Sequence, residues 1–366
     1  MHRVLVLGGY GAFGSRVAER LARQSGIELI VAGRSLERAQ VFAAGLARTA
    51  RAKMTPARID GGAVTAGELA ALRPFVVINA SGPYQDQDYT LACACIAAGA
   101  HYLDLADARA FAVGIAALDA EAKAAGVLVV SGTSTVPALS AAVVDQYAPS
   151  FARLRAITTI IAPGNSFDPG LATTRSILRS LGRPLSRAGK AKAAFGWQGL
   201  ERRVLPGLGA RWIGDCDAPD LALFPRRYAG LETVRVCAAL EVGAFHLALW
   251  GLSWLVRAGV VRGPERLAGA LLAAKHHLRF LGSDTGGMAV TLEGTDEEGE
   301  VKRVDWHLVA KSGHGPCIPA TPSVILAKKL LAGSLAERGA MACVGLLTLG
   351  DFMCEIADLD ITAGVA

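Results

Sequence analysis

The sequence predicts an α/β protein: a doubly wound parallel sheet over residues 1–135, then a second α+β domain with a mixed sheet over 136–315. Three observations carry this. Short apolar, β-branched runs alternate with Ala/Leu/Arg/Glu-rich helical stretches through the first 135 residues. The runs are nearly continuous in hydrophobicity, as strands covered on both faces must be. After about residue 135 that rhythm stops and a hairpin pattern replaces it.

Strands are expected at 3–7 (RVLVL), 27–32 (IELIVA), more weakly at 57–59, and at 75–80 (FVVINA), 101–105 (HYLDL) and 127–131 (VLVVS). Helices are expected between them at 13–24, 36–48, 65–72, 87–98 and 109–125. In the first of these, Val17 and Leu21 recur at i, i+4 and supply one apolar face. Further on, 154–162 (LRAITTIIA) reads as a strand and 171–182 as a helix. Residues 183–235 read as irregular, 238–258 and 265–281 as two helices. "MAVTLEGTDEEGEVKRVDWHLVA" reads as two alternating strands around an acidic, Gly-containing turn. A last helix is expected at 321–333.

Composition narrows the function classes. With 366 residues, 52% of them apolar and 19% charged, the chain has room for two globular cores. The formal charge of +6 comes from scattered Arg and Lys without a basic block, which argues against a nucleic-acid groove. Seven cysteines (93, 95, 216, 237, 317, 343, 354) form no C-x-x-C, so neither a zinc site nor a disulfide framework is expected, and a reducing cytoplasm fits. Val4–Leu7 is too short for the apolar core of a secretion signal.

Gly9-Tyr10-Gly11-Ala12-Phe13-Gly14 is a G-x-G-x-x-G turn placed directly after a strand and opening a helix. In a Rossmann unit the first glycine makes the tight turn and the second lets backbone approach a pyrophosphate. The third lets the helix pack closely, and the helix N-terminus faces the phosphates. The second strand ends in "VAGRS", with Arg34 and Ser35 where an NAD site usually has an acid. A carboxylate repels a 2′-phosphate and a guanidinium binds it, so the expected cofactor is NADP(H), although Arg34 could also be a surface residue. Asp60 suits the adenine amino group, or the cap of the next helix. In "INASGPYQ", Asn79, Ala80, Ser81, Gly82 and Pro83 form a small-residue passage for the cofactor, with Tyr84 towards the nicotinamide end.

Taken together, G-G-Y-G-A-F-G, V-A-G-R-S, V-I-N-A-S-G-P-Y and H-Y-L-D-L-A-D resemble the saccharopine dehydrogenase (reductase) family. The likeness continues more loosely through 282–335 and is poor over 183–280. It implies a Rossmann domain, an inserted α/β substrate domain, and a segment 316–366 that returns to the first domain. In saccharopine-forming members NADPH reduces an imine made from an aldehyde and an amino acid, and the family tyrosine after the fourth-strand proline matches Tyr84. The family's G-x-D-P-G turn does not carry over: "STVPAL" has Val136 where the Asp would stand. The Cys-Gly-Gly segment is replaced by "APGNS" (162–166). The expectation is a paralogous group with its own small-molecule substrate, acting on a C=N, C=O or C=C bond. A non-catalytic NADP-binding or membrane-associated protein, or an enoyl-type reductase for a lipid-like substrate, is the alternative.

Four side chains are catalytic candidates. Tyr84 is one, and a packing aromatic is its plainer reading. His314 lies on the "KSGHGP" loop, where histidines are usually just solvated. Asp107, with Asp104 nearby, ends the fifth strand where open sheets bind ligands, or else caps the helix near Ala108. Arg175 could meet an anionic substrate or be an exposed helix cation. His276-His277 suggest a metal, but adjacent helical positions diverge and no acid stands at i+4, so no metal is expected. The stretch "VGAFHLALWGLSWLV" (242–256) falls short of the ~20 apolar residues of a bilayer span. His246, Trp250, Ser253 and Arg257 form a narrow polar stripe along it. It reads as a core or homodimer-interface helix, or as an interfacial hairpin over 242–281 that touches a membrane peripherally.

Overall fold

A computed structural model describes residues 1–85, 87–185 and 193–366. Asp86 and residues 186–192, part of the stretch read as irregular, lie outside the described residues. The chain divides into two units, Met1–Ala138 with Pro316–Leu347, and Leu139–Gly315 with Thr348–Ala366.

The first unit runs β1 (His2–Leu7), α1 (Gly14–Leu21), β2 (Ile27–Gly33), α2 (Leu36–Ala47), β3 (Lys53–Arg58), α3 (Ala66–Leu72), β4 (Val76–Asn79), α4 (Thr90–Ala97), β5 (His101–Asp104), α5 (Arg109–Gly114), α6 (Asp119–Ala124) and β6 (Leu128–Ser131). The segment read as one helix at 109–125 is two, joined by a 3-10 turn at Ile115–Leu118. Its strands lie in the order β3-β2-β1-β4-β5-β6, all parallel. Every residue of β2, β4, β5 and β6 is buried, as a sheet sandwiched between helix layers requires. Glu28, inside β2, is buried because three partners meet it: Arg3 at 3.0 Å, Lys53 at 3.2 Å and the Thr55 hydroxyl at 2.7 Å. The strand order reverses between β1 and β4, so the crevice beyond their C-terminal ends is where such a sheet takes a ligand.

The second unit runs α7 (Ser140–Tyr147), β7 (Arg153–Ala162), α8 (Gly170–Ser180), β8 (Pro184–Leu185), β9 (Ala194–Phe195), β10 (Glu201–Leu205), β11 (Gly209–Asp215), α9 (Asp220–Arg227), β12 (Thr233–Ala238), α10 (Gly243–Arg257), α11 (Ala268–His277), β13 (Gly286–Thr295) and β14 (Val301–Ala310). The chain then adds α12 (Cys317–Leu331) and β15 (Gly339–Ala342) to the first unit, and α13 (Leu349–Glu355) and β16 (Ile361–Val365) to the second. The second sheet is mixed, in the order β10-β11-β12-β7-β13-β14-β16. The expected hairpin is its largest pairing, with Met288 opposite Leu308.

Two expectations need correction. Within 183–235, residues 201–215 are not irregular: β10 and β11 pair antiparallel across a turn in which Gly207 and Gly209 both take positive φ. Arginines at 202, 203 and 211 hid the strands, since their alternation is charged rather than apolar. The tail does not return whole to the first unit. β15 pairs parallel with β6, but β16 pairs antiparallel with β14, from Ile361 opposite Ala310 to Val365 opposite Trp306.

Candidate functional site

β1 ends at Leu7, and the N–H groups of Gly8 and Gly9 both donate to the Ala32 carbonyl, at 2.8 and 3.2 Å. Gly8, not Gly9, makes the tight turn: its φ is +74°, and a Cβ there would stand 3.0 Å from the Ala80 carbonyl. Gly9 instead lies against the strands, where a Cβ would come 2.9 Å from the Val6 carbonyl oxygen. Gly11 donates to the Gly8 carbonyl at 2.8 Å, and a Cβ on Gly14 would overlap that same oxygen. The signal for Gly8 was present, since "LGGYGAFG" offers glycines at 8, 11 and 14 as readily as at 9, 11 and 14.

α1 begins with no side-chain cap and no acid in its first turn; Phe13 is its N-cap and Ala12 is exposed. The Ser15 and Arg16 N–H groups donate to the Gly11 and Phe13 carbonyls at 3.0 Å, and the positive dipole end of the helix, with no acid beside it, favours an anion. A glycine cradle that no side chain could replace, opening onto an uncapped helix, fits a pyrophosphate.

Tyr10 joins this turn to the end of β2. Its hydroxyl accepts from the Ser35 N–H at 2.9 Å, its ring covers Gly33 too closely for any Cβ there, and the Arg38 guanidinium stacks 4.7 Å from its centroid. Ser35 caps α2, its hydroxyl accepting from the Arg38 N–H at 3.3 Å. Arg34 is exposed beside it, with no carboxylate in ion-pair range among the described residues. Arg58, opposite Gly33 on β3, is exposed as well. Sequence reasoning missed Arg38 and Arg58 because their approach depends on helical phase and strand pairing. Asp60 does not cap α3. It accepts from the Gly62 N–H at 3.2 Å, and Thr65 caps α3 in a reciprocal box with Glu68 that "TAGE" announces.

The loop after β4 is braced from within. Asn79 is buried; its amide donates to the Tyr102 hydroxyl at 3.2 Å and its Oδ1 accepts from both the N–H and the hydroxyl of Ser81. Gln87, a residue not singled out from sequence, donates from its amide to the carbonyls of Ser81 and Pro83, at 2.6 and 3.1 Å. Ala80, Ser81, Gly82 and Pro83 are left half-exposed along the crevice.

Tyr84 is only 5% exposed, packed with Ala106, Ala108, Phe111 and Ala112. Its hydroxyl donates to the Asn79 carbonyl at 2.7 Å and accepts from the Leu105 N–H at 3.3 Å. Burial, reinforced by Asp104 and Asp107, pushes its ionisation well above the ordinary tyrosine range. That environment holds the proton on a framework bond. Asp104 is fully buried, its Oδ1 accepting from Ser131 Oγ, Gly132 N–H and Ala106 N–H at 2.8–2.9 Å, which clamps the ends of β5 and β6. Desolvation raises its carboxyl to about 6. Asp107 is half-exposed, and α5 begins at an Ala108 cap without any side-chain acceptor.

The other two catalytic candidates lie in the second unit. His314 accepts from the Asp360 N–H at 2.9 Å through Nδ1, tying its loop to the approach to β16. Arg175 is exposed on α8. His276 is exposed on α11 with its Nε2 2.9 Å from an Asp168 carboxylate oxygen. "APGNS" forms a knot that sequence reasoning did not anticipate. Glu241 accepts from the Asn165 N–H at 2.6 Å and from the N–H and hydroxyl of Ser283, while Asn165 donates to the Leu278 carbonyl at 2.9 Å. Desolvation opposes the charge on Glu241, but these bonds outweigh it and hold the carboxyl below its ordinary range.

Residues 4–130 match the family model described as "Saccharopine dehydrogenase NADP binding domain". The first unit is a saccharopine dehydrogenase-like NADP-binding domain. NADP(H) is therefore the cofactor of that domain. The whole chain is similar in fold to the L-Glu-forming saccharopine dehydrogenase of Saccharomyces cerevisiae, with a TM-score of 0.71 at 14% identity and 100% of both chains covered. A meso-dapdh mutant from Clostridium tetani is similar over 96% of both chains at 13% identity, with a TM-score of 0.48. No curated protein matches in sequence. The likeness to the Saccharomyces cerevisiae protein extends the fold beyond the stretch that the family model recognises.

Proposed function

We propose that this saccharopine dehydrogenase-like protein is a reductase or dehydrogenase for a small molecule presenting a C=N, C=O or C=C bond, specific for NADP(H) over NAD(H). NADP(H), when bound, supplies or accepts the hydride. The Gly8–Gly14 cradle and the start of α1 hold the pyrophosphate, and the Asn79–Pro83 passage lines its route. Arg34 takes the 2′-phosphate, with Arg38 held over Tyr10 and Arg58 across the strand pair as further cations. One observation carries the nucleotide choice: β2 is followed by the exposed Arg34, with no carboxylate in ion-pair range among the described residues.

In this reading Tyr84 positions the loop between β4 and α4, and Asp107, His314 and Arg175 are the candidates to meet the substrate. Arg34→Ala is expected to weaken NADPH binding by roughly 10- to 100-fold, as a lost charge-assisted bidentate contact would, and to leave NADH binding unchanged. Titration calorimetry with both nucleotides decides it; equal affinities in the parent protein would end the NADP assignment. NADPH oxidation across imine, carbonyl and enoyl acceptors then separates the three substrate classes. A second reading, a non-catalytic NADP-binding protein, is favoured by the commitment of the Tyr84 hydroxyl to the Asn79 carbonyl. It predicts tight NADPH binding and no turnover with any acceptor.

A further inference from the structure

α10 is inverted. Its two fully buried side chains, His246 and Ser253, are polar and stand seven residues apart on one face. Ser253 satisfies itself on the Trp250 carbonyl at 2.6 Å, and His246 packs against Trp197 with burial pulling its ionisation down to about 4. The opposite face, Ala244, Leu247, Ala248, Trp254 and Leu255, is exposed and entirely apolar. Of the polar stripe expected from sequence, His246 and Ser253 point inward, Trp250 is half-buried, and the exposed Arg257 donates to Gln198 at 2.8 Å.

Exposed apolar residues recur along the chain beyond α10. Leu271 on α11 is exposed, and the 3-10 turn Arg279–Leu281 presents Phe280 at 77%. Among the described residues, eight of the fifteen exposed large hydrophobics fall between Leu247 and Leu281. A concentration of that kind marks an interaction surface. Its charge says what kind. Between Val242 and Leu281 there are five Arg or Lys and a single acid, Glu265. Arg262, Arg266 and Arg279 are exposed, with no carboxylate in ion-pair range among the described residues.

We propose that α10, α11 and the turn that follows them dock this unit on an anionic lipid surface. Trp254, Leu255 and Phe280 enter the boundary between headgroups and acyl chains, and Arg262, Arg266 and Arg279 meet lipid phosphates. Apolar anchors beside unpaired cations are what interfacial helices present to anionic bilayers. No described helix is long and apolar enough to cross a membrane, so the attachment is peripheral. A symmetric second copy fits poorly, because a two-fold contact would set this cationic surface against itself.

Flotation of the full chain with extruded vesicles tests this, using phosphatidylcholine alone and phosphatidylcholine mixed with phosphatidylglycerol. Binding to the anionic vesicles is expected to be at least about tenfold stronger and to fall as salt rises. Phe280→Ser and Trp254→Ser should each weaken it about tenfold, and Arg262→Glu with Arg266→Glu should remove the preference for anionic lipid. Because Phe280 is exposed, its variant should melt with the parent, and all variants should keep the parental NADPH affinity. Equal binding to both vesicle types, or none to either, overturns the proposal. So does a concentration-dependent dimer, seen by sedimentation, that Phe280→Ser dissociates while the parent ignores vesicles. NADPH binding is read separately, so neither result touches the cofactor assignment.

Discussion

The glycine turn after β1 and the helix α10 are both built from small and apolar residues, used in opposite ways. In the turn, small means no room. Gly8 lies against the Ala80 backbone, Gly14 against the Gly8 carbonyl, and Gly33 under the Tyr10 ring. In α10, the small and apolar residues Ala244, Leu247 and Ala248 face outward, while the interior receives His246 and Ser253 beside Leu249, Leu252 and Val256. The turn's residue types follow from contacts inside its own unit. On the outer face of α10, Trp254 meets Trp250 and Arg257 within the unit, while Leu247 and Leu255 stay exposed to solvent.

This contrast can be tested by substitution, and the turn should yield the largest effect. Gly14→Val has nowhere to put its side chain. It is expected to destabilise the protein by about 3 kcal/mol or more and to abolish measurable NADPH binding, checked by urea denaturation and calorimetry. Asp104→Ala should follow, since it strands the Ser131 hydroxyl and two buried N–H donors; about 2–4 kcal/mol is expected in the same denaturation experiment.

Asp104 also sets a pH dependence. Burial lifts its folded pKa to about 6, above its unfolded value, so the folded chain holds the proton more tightly. The stability it contributes is full below about pH 4 and lost as pH rises through 6, roughly 2–3 kcal/mol in all. Asp104→Asn should flatten that slope while keeping an acceptor for the three donors; an unchanged slope would show that another group carries it. The smallest effect belongs to α10. Leu255→Ala should cost no more than about 0.5 kcal/mol, far from the 2–5 kcal/mol of a core leucine, because Leu255 is 48% exposed. A core-sized loss would mean that the exposed face is packed in solution.

The parallel sheet, the glycine turn and the NADP(H) assignment could be read from residues 1–135, because local rules dictate them. Buried parallel strands must be continuously apolar, a phosphate turn must lack side chains, and a 2′-phosphate needs a cation rather than an acid. Even there, the tight turn fell on Gly8 rather than Gly9, since two overlapping glycine patterns differ only in backbone φ. The 288–310 hairpin was equally plain, its alternation and turn being local. What local pattern could not reach were long-range facts. The Tyr84 hydroxyl bonds the Asn79 carbonyl, Glu241 gathers donors from Asn165 and Ser283, and β16 pairs with β14 across the α12 and β15 excursion. For α10, periodicity identified a polar stripe and an apolar face, but which of them the fold buries depends on what lies beneath the helix, here Trp197 against His246. Amphipathic spacing establishes that a helix has two sides; only packing decides which one meets the solvent.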